Sequence, residues 1–179
     1  AWLDDNLLPA QRAKAVVLSG GGNDTTRGTL QALIRPFDGG AVLDDVKVAA
    51  HIAMLERHYT TVLNRIGESF ARQGVSGVPV VIHGYDHPLP RGAMGFDNWL
   101  RKPFEKQGYD LSQPAIFDLA AKAMADLIDG LNAMLDRLAQ RAQFKPFVRH
   151  VNLCGTIATH FPQDAGDGWA NDLHPINDM

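Results

Sequence analysis

Three short apolar segments, separated by two long amphipathic stretches, constrain the fold of this 179-residue chain most strongly. The segments cover residues 15–19, 78–83 and 147–153, and glycine follows each of them closely. Their β-branched residues and closing glycines predict buried strands rather than short pieces of buried helix. Parallel strands that are covered on both faces have this continuous apolar character.

The two stretches between these segments have helical periodicity. Apolar residues recur in steps of three and four from Leu43 to Phe70, and again from about Pro114 to Gln143. This spacing predicts two amphipathic helices, the first capped by Asp44 or Asp45 and ended by Gly74. Alternation of strands and helices is typical of parallel βαβ units with right-handed crossovers. We therefore expect an α/β domain with a parallel sheet.

The loops that follow the strands are the expected binding region. In open α/β sheets, ligands bind beyond the carboxyl ends of the strands. Residues 20–26, 84–98 and 155–172 should therefore meet at one rim of the sheet. The last two loops are long for connections of this kind, which favours a binding role.

Composition and charge exclude several classes of protein. The chain is 45% hydrophobic and 21% charged, as is typical of a soluble globular domain. Its net charge of −3, without a basic run, argues against a nucleic-acid partner. The single cysteine, Cys154, excludes an internal disulfide framework and a multi-cysteine zinc site. No apolar run reaches the roughly 18 residues of a membrane span, and residues 1–5 lack signal-peptide features, which favours a cytoplasmic location.

The first loop carries residues suited to stabilising negative charge. Gly20, Gly21 and Gly22 leave the strand, and glycines there permit positive φ and a close approach of ligand to backbone. Asn23 then offers an amide NH₂ that can stabilise an oxyanion. Asp24 can cap the following helix and hold the loop in shape. The alternative interpretation is a glycine-rich turn with a capping aspartate.

The last loop carries a candidate general base. His174 is followed by Pro175, which restricts the backbone, and Asp172 lies two residues before it. A histidine near an acid beyond the last strand can act as a general base. The alternative is a surface histidine beside a solvated carboxylate.

Taken together, two motifs of this chain resemble those of the SGNH (GDSL-like) hydrolases. They are Gly21-x-Asn23-Asp24 after the first strand and an acid before His174-Pro175. The resemblance spans nearly the whole chain, with the motifs in the family's order. It implies a single domain over residues 1–179 with a three-layer α/β/α, flavodoxin-like fold. It also implies serine acyl transfer on a small-molecule, lipid or carbohydrate ester without a cofactor, with Asn23 as oxyanion donor and His174 as base.

The chain departs from the family's pattern at its beginning. No Gly-Asp-Ser block with a nucleophile, and no block with an oxyanion glycine, precedes residue 15. The serines present, Ser19, Ser69, Ser76 and Ser112, do not lie in the family's nucleophile context or in a Gly-x-Ser-x-Gly elbow. We therefore expect the nucleophile-bearing strand and a closing C-terminal helix to lie outside this chain. The chain alone should then be inactive.

A second departure concerns the acid that orients the base. Asn171 stands three residues before His174, where the family has aspartate. Asp172 is the preferred candidate, while Asp167 or a backbone carbonyl remain alternatives.

The second loop is a candidate specificity element. Substrate contact by Tyr85, Asp86 or His87 is favoured over a metal site made of His83, Asp86 and His87, although imidazole and carboxylate suit zinc or iron. Trp99 and Phe96 can line a pocket there or serve as plain core residues.

Two other functions stay open for this chain. One is a non-catalytic SGNH-like binding or interaction module. The other is a dinucleotide-binding unit, in which Gly20-x-Gly22 opens a helix and Asp44, after a short strand at residues 41–43, binds a ribose. That motif lacks its third small residue. Substrate identity and oligomeric state are not indicated by the sequence.

Overall fold

The sheet contains three parallel strands. A computed structural model describes residues 14–91 and 98–156. Within them, β1 (Val16–Ser19), β2 (Val80–His83) and β3 (Val148–Val151) lie side by side in that order. The register places Val16 beside Val80 and Val80 beside Val148. The predicted α/β class and parallel sheet are confirmed.

Helices connect the strands. In the described residues these are α1 (Arg27–Leu33), α2 (Asp45–Gln73), α3 (Arg101–Lys106) and α4 (Pro114–Gln140), and a 3₁₀ turn covers Asn23–Thr25. The two long helices lie where the periodicity predicted them. At the start of α2, the Asp44 carboxylate accepts a hydrogen bond from the Lys47 backbone N–H at 3.1 Å. No helix in these residues has both the length and the apolar character needed to cross a membrane.

The main core lies on one face of the sheet. Helices α2 and α4 pack against each other and against the inward side chains of β2 and β3. Its most buried members include Leu63, Val80, Ile82, Met134, Leu135, Leu138, Phe144 and Val148. Because all three strands are parallel, their carboxyl ends point to the same rim of the sheet.

The other face of the sheet is open in the described residues. Val17 on β1 is 64% exposed and Val151 on β3 is 43% exposed. Ser19 and Arg149 on the same face are exposed as well. The described residues thus form two layers, and the third layer of the expected three-layer arrangement remains a prediction.

Two glycines in the long helices should respond oppositely to the same substitution. Gly74 ends α2 with φ +63°, whereas Gly130 lies inside α4, and a Cβ at either meets nothing within 4 Å. We expect Gly74→Ala to lower the free energy of unfolding by about 1 kcal/mol, because alanine is strained at positive φ. Gly130→Ala should raise it by about 0.5–1 kcal/mol through helix propensity. Urea denaturation measures both changes in the free energy of unfolding. Changes of the same sign would contradict the assigned backbone conformations.

Candidate functional site

The described parts of the loops after the three strands meet at one rim, as predicted. The Tyr85 ring lies against Gly22, so an added Cβ at Gly22 would stand 2.5 Å from Cζ of Tyr85. The Asp86 carboxylate accepts a hydrogen bond from the Gly155 backbone N–H at 2.7 Å. The first loop therefore contacts the second, and the second contacts the third.

Glycines hold the first loop close to its neighbours. Gly21 has φ +89°, and an added Cβ there would stand 3.7 Å from the side chains of Leu55 and Leu131. The Tyr59 hydroxyl donates to the Gly20 carbonyl at 3.1 Å. Because a side chain at Gly21 would be strained and one at Gly22 would overlap Tyr85, both glycines are required by this geometry.

Threonines fix the turn that presents Asn23. The Thr25 hydroxyl donates to the Gly21 carbonyl at 2.6 Å, and the Thr26 hydroxyl donates to the Asn23 carbonyl at 3.0 Å. The Asn23 and Asp24 side chains are exposed at the rim. A rigid loop thus carries an exposed amide at the end of β1.

The predicted capping role of Asp24 is wrong. Helix α1 begins at Arg27, and its N-cap is Thr26, whose side chain makes no capping hydrogen bond. Asp24 lies inside the 3₁₀ turn, two residues before this N-cap, and is not at the capping position. Its side chain instead borders a cavity of about 220 Å³ beside β1.

His51 supports this loop from helix α2, a role that the sequence did not indicate. The Thr25 hydroxyl already donates to Gly21, so the Nε2–H of buried His51 donates to Thr25 Oγ1 at 3.1 Å. Burial lowers the pKa of His51, and the charge of Asp24 offsets this in part. His51 is therefore a neutral, buried support for the Asn23 turn.

The pH dependence of stability should reveal this buried histidine. Because the folded-state pKa of His51 lies below its ordinary value of about 6.5, the folded state binds fewer protons than the unfolded state as pH falls below that value. This contribution is complete above pH 6.5 and decreases at lower pH. We expect wild type to lose more stability than His51→Gln between pH 7.5 and 5.5 in urea denaturation. Parallel pH profiles would contradict the assignment.

Polar side chains of the second loop anchor it to its own backbone, to the third loop and to helix α4. Asp86 is 4% exposed, and its Oδ1 also accepts the His87 backbone N–H at 2.8 Å. His87 Nε2 lies 2.8 Å from Asp129 Oδ1 on α4. The Asp86 carboxylate is one of the predicted substrate contacts, and in the structure its Oδ1 binds backbone N–H groups of the protein. Tyr85 borders a narrow apolar cavity of about 20 Å³, which has room for about one water.

Asn132 on α4 ties the second loop to the third. Its amide donates to the Tyr85 carbonyl at 3.2 Å and to Cys154 Sγ at 3.1 Å. It is buried against Gly84, where no Cβ would fit. The sequence analysis missed this residue, although a single polar position on an otherwise apolar helix face is a signal of a buried hydrogen-bonding role.

The predicted base and its orienting acid lie outside the described residues. These are His174 and Asp172, with the alternatives Asn171 and Asp167. Phe96 lies outside them too. The described part of the chain ends at Thr156. The Thr156 hydroxyl lies 3.4 Å from the Asp86 carboxylate at the rim.

The described nucleophile candidates do not form a catalytic pair. Burial, with the charges of Asp129 and Asp86, raises the pKa of Cys154 to about 11, so its thiol stays protonated at neutral pH. Ser19 is exposed beside His83 in the sheet register, but its hydroxyl has no hydrogen bond to a histidine in the described part of the chain. Ser69 is buried in α2. Ser76 and Ser112 lie in loops away from the Asn23 turn.

Comparison of the chain with protein-family models, with curated proteins and with solved structures gave no significant match.

Proposed function

We propose that this chain provides the oxyanion-binding and base-bearing part of an SGNH-type serine ester hydrolase. The observation that carries the proposal is the glycine loop at the end of β1. It is held by Thr25, Tyr59 and Tyr85 and presents the Asn23 amide at the rim where the second and third loops converge.

The loop is suited to stabilising charge that develops during a reaction. Its backbone is fixed by hydrogen bonds, so little reorganisation is needed when an oxyanion forms. Donors that are oriented in advance stabilise an oxyanion better than mobile ones, because they need no reorganisation at the moment of reaction. The Asn23 amide and neighbouring backbone N–H groups would act together.

The chemistry follows the acyl-enzyme scheme. A serine hydroxyl attacks the ester carbonyl, and His174 accepts its proton while Asn23 binds the tetrahedral oxyanion. The intermediate then releases the alcohol, which takes the proton from His174. Water, activated by the same histidine, attacks the acyl-enzyme and releases the acid. Asp172 would orient the imidazole.

The serine in this proposal comes from outside the 179 residues. The outer edge of β1 pairs with no strand in the described residues. Exposed Val62 and the 220 Å³ cavity lie beside the end of β1. An open edge of this kind can accept a further parallel strand. The carboxyl end of such a strand would lie next to Gly20 and Asn23, within reach of the oxyanion loop.

The dinucleotide-binding alternative has less support. It requires a parallel strand at residues 41–43 beside β1, but Leu43 forms only an isolated antiparallel bridge with Ile34. The neighbour of β1 in the described sheet is β2. The binding-module alternative predicts the same fold and differs only in turnover.

Ester hydrolysis by the product of the complete reading frame tests the proposal. We expect turnover of a short-chain p-nitrophenyl ester by that protein, and none by the 179-residue chain alone. Circular dichroism on both checks that they are folded. A folded, complete protein without turnover on acetyl, longer acyl and acetylated-sugar esters would overturn the hydrolase and favour the binding module.

A further inference from the structure

A mixed cluster of metal-ligating side chains lies at the rim, beside the loop that the proposed catalysis uses. Asp86, His87 and Cys154 each place one donor atom within 4.8 Å of the others. Asp129 on α4 adds a carboxylate, with Oδ1 at 2.8 Å from His87 Nε2 and 3.7 Å from Cys154 Sγ. The donors come from the second loop, the third loop and a helix.

The spacing of these donor atoms is close to that of ligands that coordinate one small ion. Zinc binds nitrogen and oxygen at about 2.0–2.2 Å and sulfur at about 2.3 Å in a tetrahedron. Two such ligands are therefore about 3.3–3.7 Å apart, with the longer separations between sulfur and a nitrogen or oxygen. The 3.7 Å between Asp129 Oδ1 and Cys154 Sγ agrees with this range, whereas the 2.8 Å between Asp129 Oδ1 and His87 Nε2 is the shorter distance of a direct hydrogen bond. The donors of Asp86, His87 and Cys154, which lie within 4.8 Å of one another, would move closer by about 1 Å to surround one ion together with Asp129.

The local charge favours a cation. Asp129 has no lysine or arginine partner in the part of the chain that the structure describes, and its one ionic partner there is His87. Burial, followed by the charges of Asp129 and Asp86, opposes ionisation of the Cys154 thiol. A divalent cation would reverse that effect, because it stabilises a coordinated thiolate.

The donors are held in place by other contacts. The Asp86 carboxylate is fixed by the backbone N–H groups of His87 and Gly155 through Oδ1. Asn132 holds Cys154 Sγ and the Tyr85 carbonyl. A site whose ligands are oriented by outer hydrogen bonds needs little ordering when the ion binds.

We propose that Asp86, His87, Asp129 and Cys154 form a binding site for a divalent transition metal, and that Zn²⁺ fits it best. Thiolate with imidazole selects such ions over Mg²⁺ and Ca²⁺. Binding releases the Cys154 thiol proton to solvent, so affinity increases with pH. The ion would cross-link the second loop, the third loop and α4. This inference does not depend on the proposed hydrolase.

Metal titration of the untagged, metal-free protein tests the site. We expect Zn²⁺ to raise Tm, and Co²⁺ to give a thiolate-to-metal charge-transfer band. Cys154→Ser should remove this band and weaken Zn²⁺ binding at least tenfold. His87→Ala, which changes a partly exposed side chain, should also weaken binding at least tenfold if Cys154→Ser is poorly folded.

Matched variants distinguish Zn²⁺ binding at this site from Zn²⁺ binding elsewhere on the protein. Asp129→Asn should weaken Zn²⁺ binding, while Asp126→Asn, one turn earlier on the same helix and paired with Lys122, should not. His58→Ala, an exposed histidine of α2, should leave it unchanged. The absence of a thiolate band in wild type, or unchanged Zn²⁺ affinity in both Cys154→Ser and His87→Ala, would overturn the proposal.

Discussion

Replacing Asn23 with alanine is expected to lower kcat of the complete protein on its ester substrate by about 10²–10³-fold, the usual cost of removing one oxyanion donor. In the proposed mechanism the amide acts on charge that develops in the transition state, so KM should change little. The side chain is exposed, and the loop is held by Gly21, Thr25 and Tyr59 rather than by the amide itself. Stability should therefore be nearly unchanged.

The control for this substitution is Asn64→Ala, an exposed asparagine of α2 that lies far along the chain from the loop. It should leave both kcat and KM at wild-type values. Steady-state kinetics on purified variants, with Tm measured in parallel, makes the comparison. A loss confined to KM, or a Tm decrease that accounts for the lost activity, would contradict the oxyanion role of Asn23.

Gly84→Ala is expected to lower the free energy of unfolding by about 2–3 kcal/mol, the upper range for overpacking a buried site. An added Cβ would overlap the buried Asn132 amide, which holds Tyr85 and Cys154. Neither the amide nor the backbone can move without breaking those contacts. Urea denaturation measures the loss, which should clearly exceed that of Gly74→Ala.

A double-mutant cycle isolates the cause of this effect. Asn132→Ala removes the overlapping amide, so Gly84→Ala in that background should cost at least about 1 kcal/mol less than in wild type. Because the overlap is steric, the coupling should not change with salt. Additive costs would show that Asn132 is not the group that Gly84 accommodates.

The strands and long helices were predictable because their signals are local. Hydrophobic periodicity and the glycines placed both helices correctly, and α2 ends at Gly74 as its sequence suggested. The strands are shorter than the apolar runs: β2 begins at Val80 rather than Val78, and β3 ends at Val151 rather than Leu153. Pairing with neighbours, which a single run does not encode, sets those limits.

The roles of individual polar residues were harder to predict, because their partners are remote in sequence. The substrate contact expected of Asp86 stays a prediction, and the sequence did not indicate that its carboxylate would accept a hydrogen bond from Gly155, 69 residues away. In the sequence, nothing distinguishes His51 from other polar residues of helix α2, because its partner Thr25 lies 26 residues earlier. The cluster of His87, Asp129 and Cys154 likewise arises only when β2, α4 and β3 are brought together.

The measurement that tests the central claim most directly is mapping of a fluorophosphonate adduct on the complete protein by mass spectrometry. We expect one adduct, on a serine outside these 179 residues. Its rate of formation should fall strongly in Asn23→Ala and in His174→Ala, while the fold is retained. No adduct on the folded protein, or an adduct on Ser19, Ser69, Ser76 or Ser112, would contradict the claim that this chain supplies the oxyanion loop and base of an SGNH-type site.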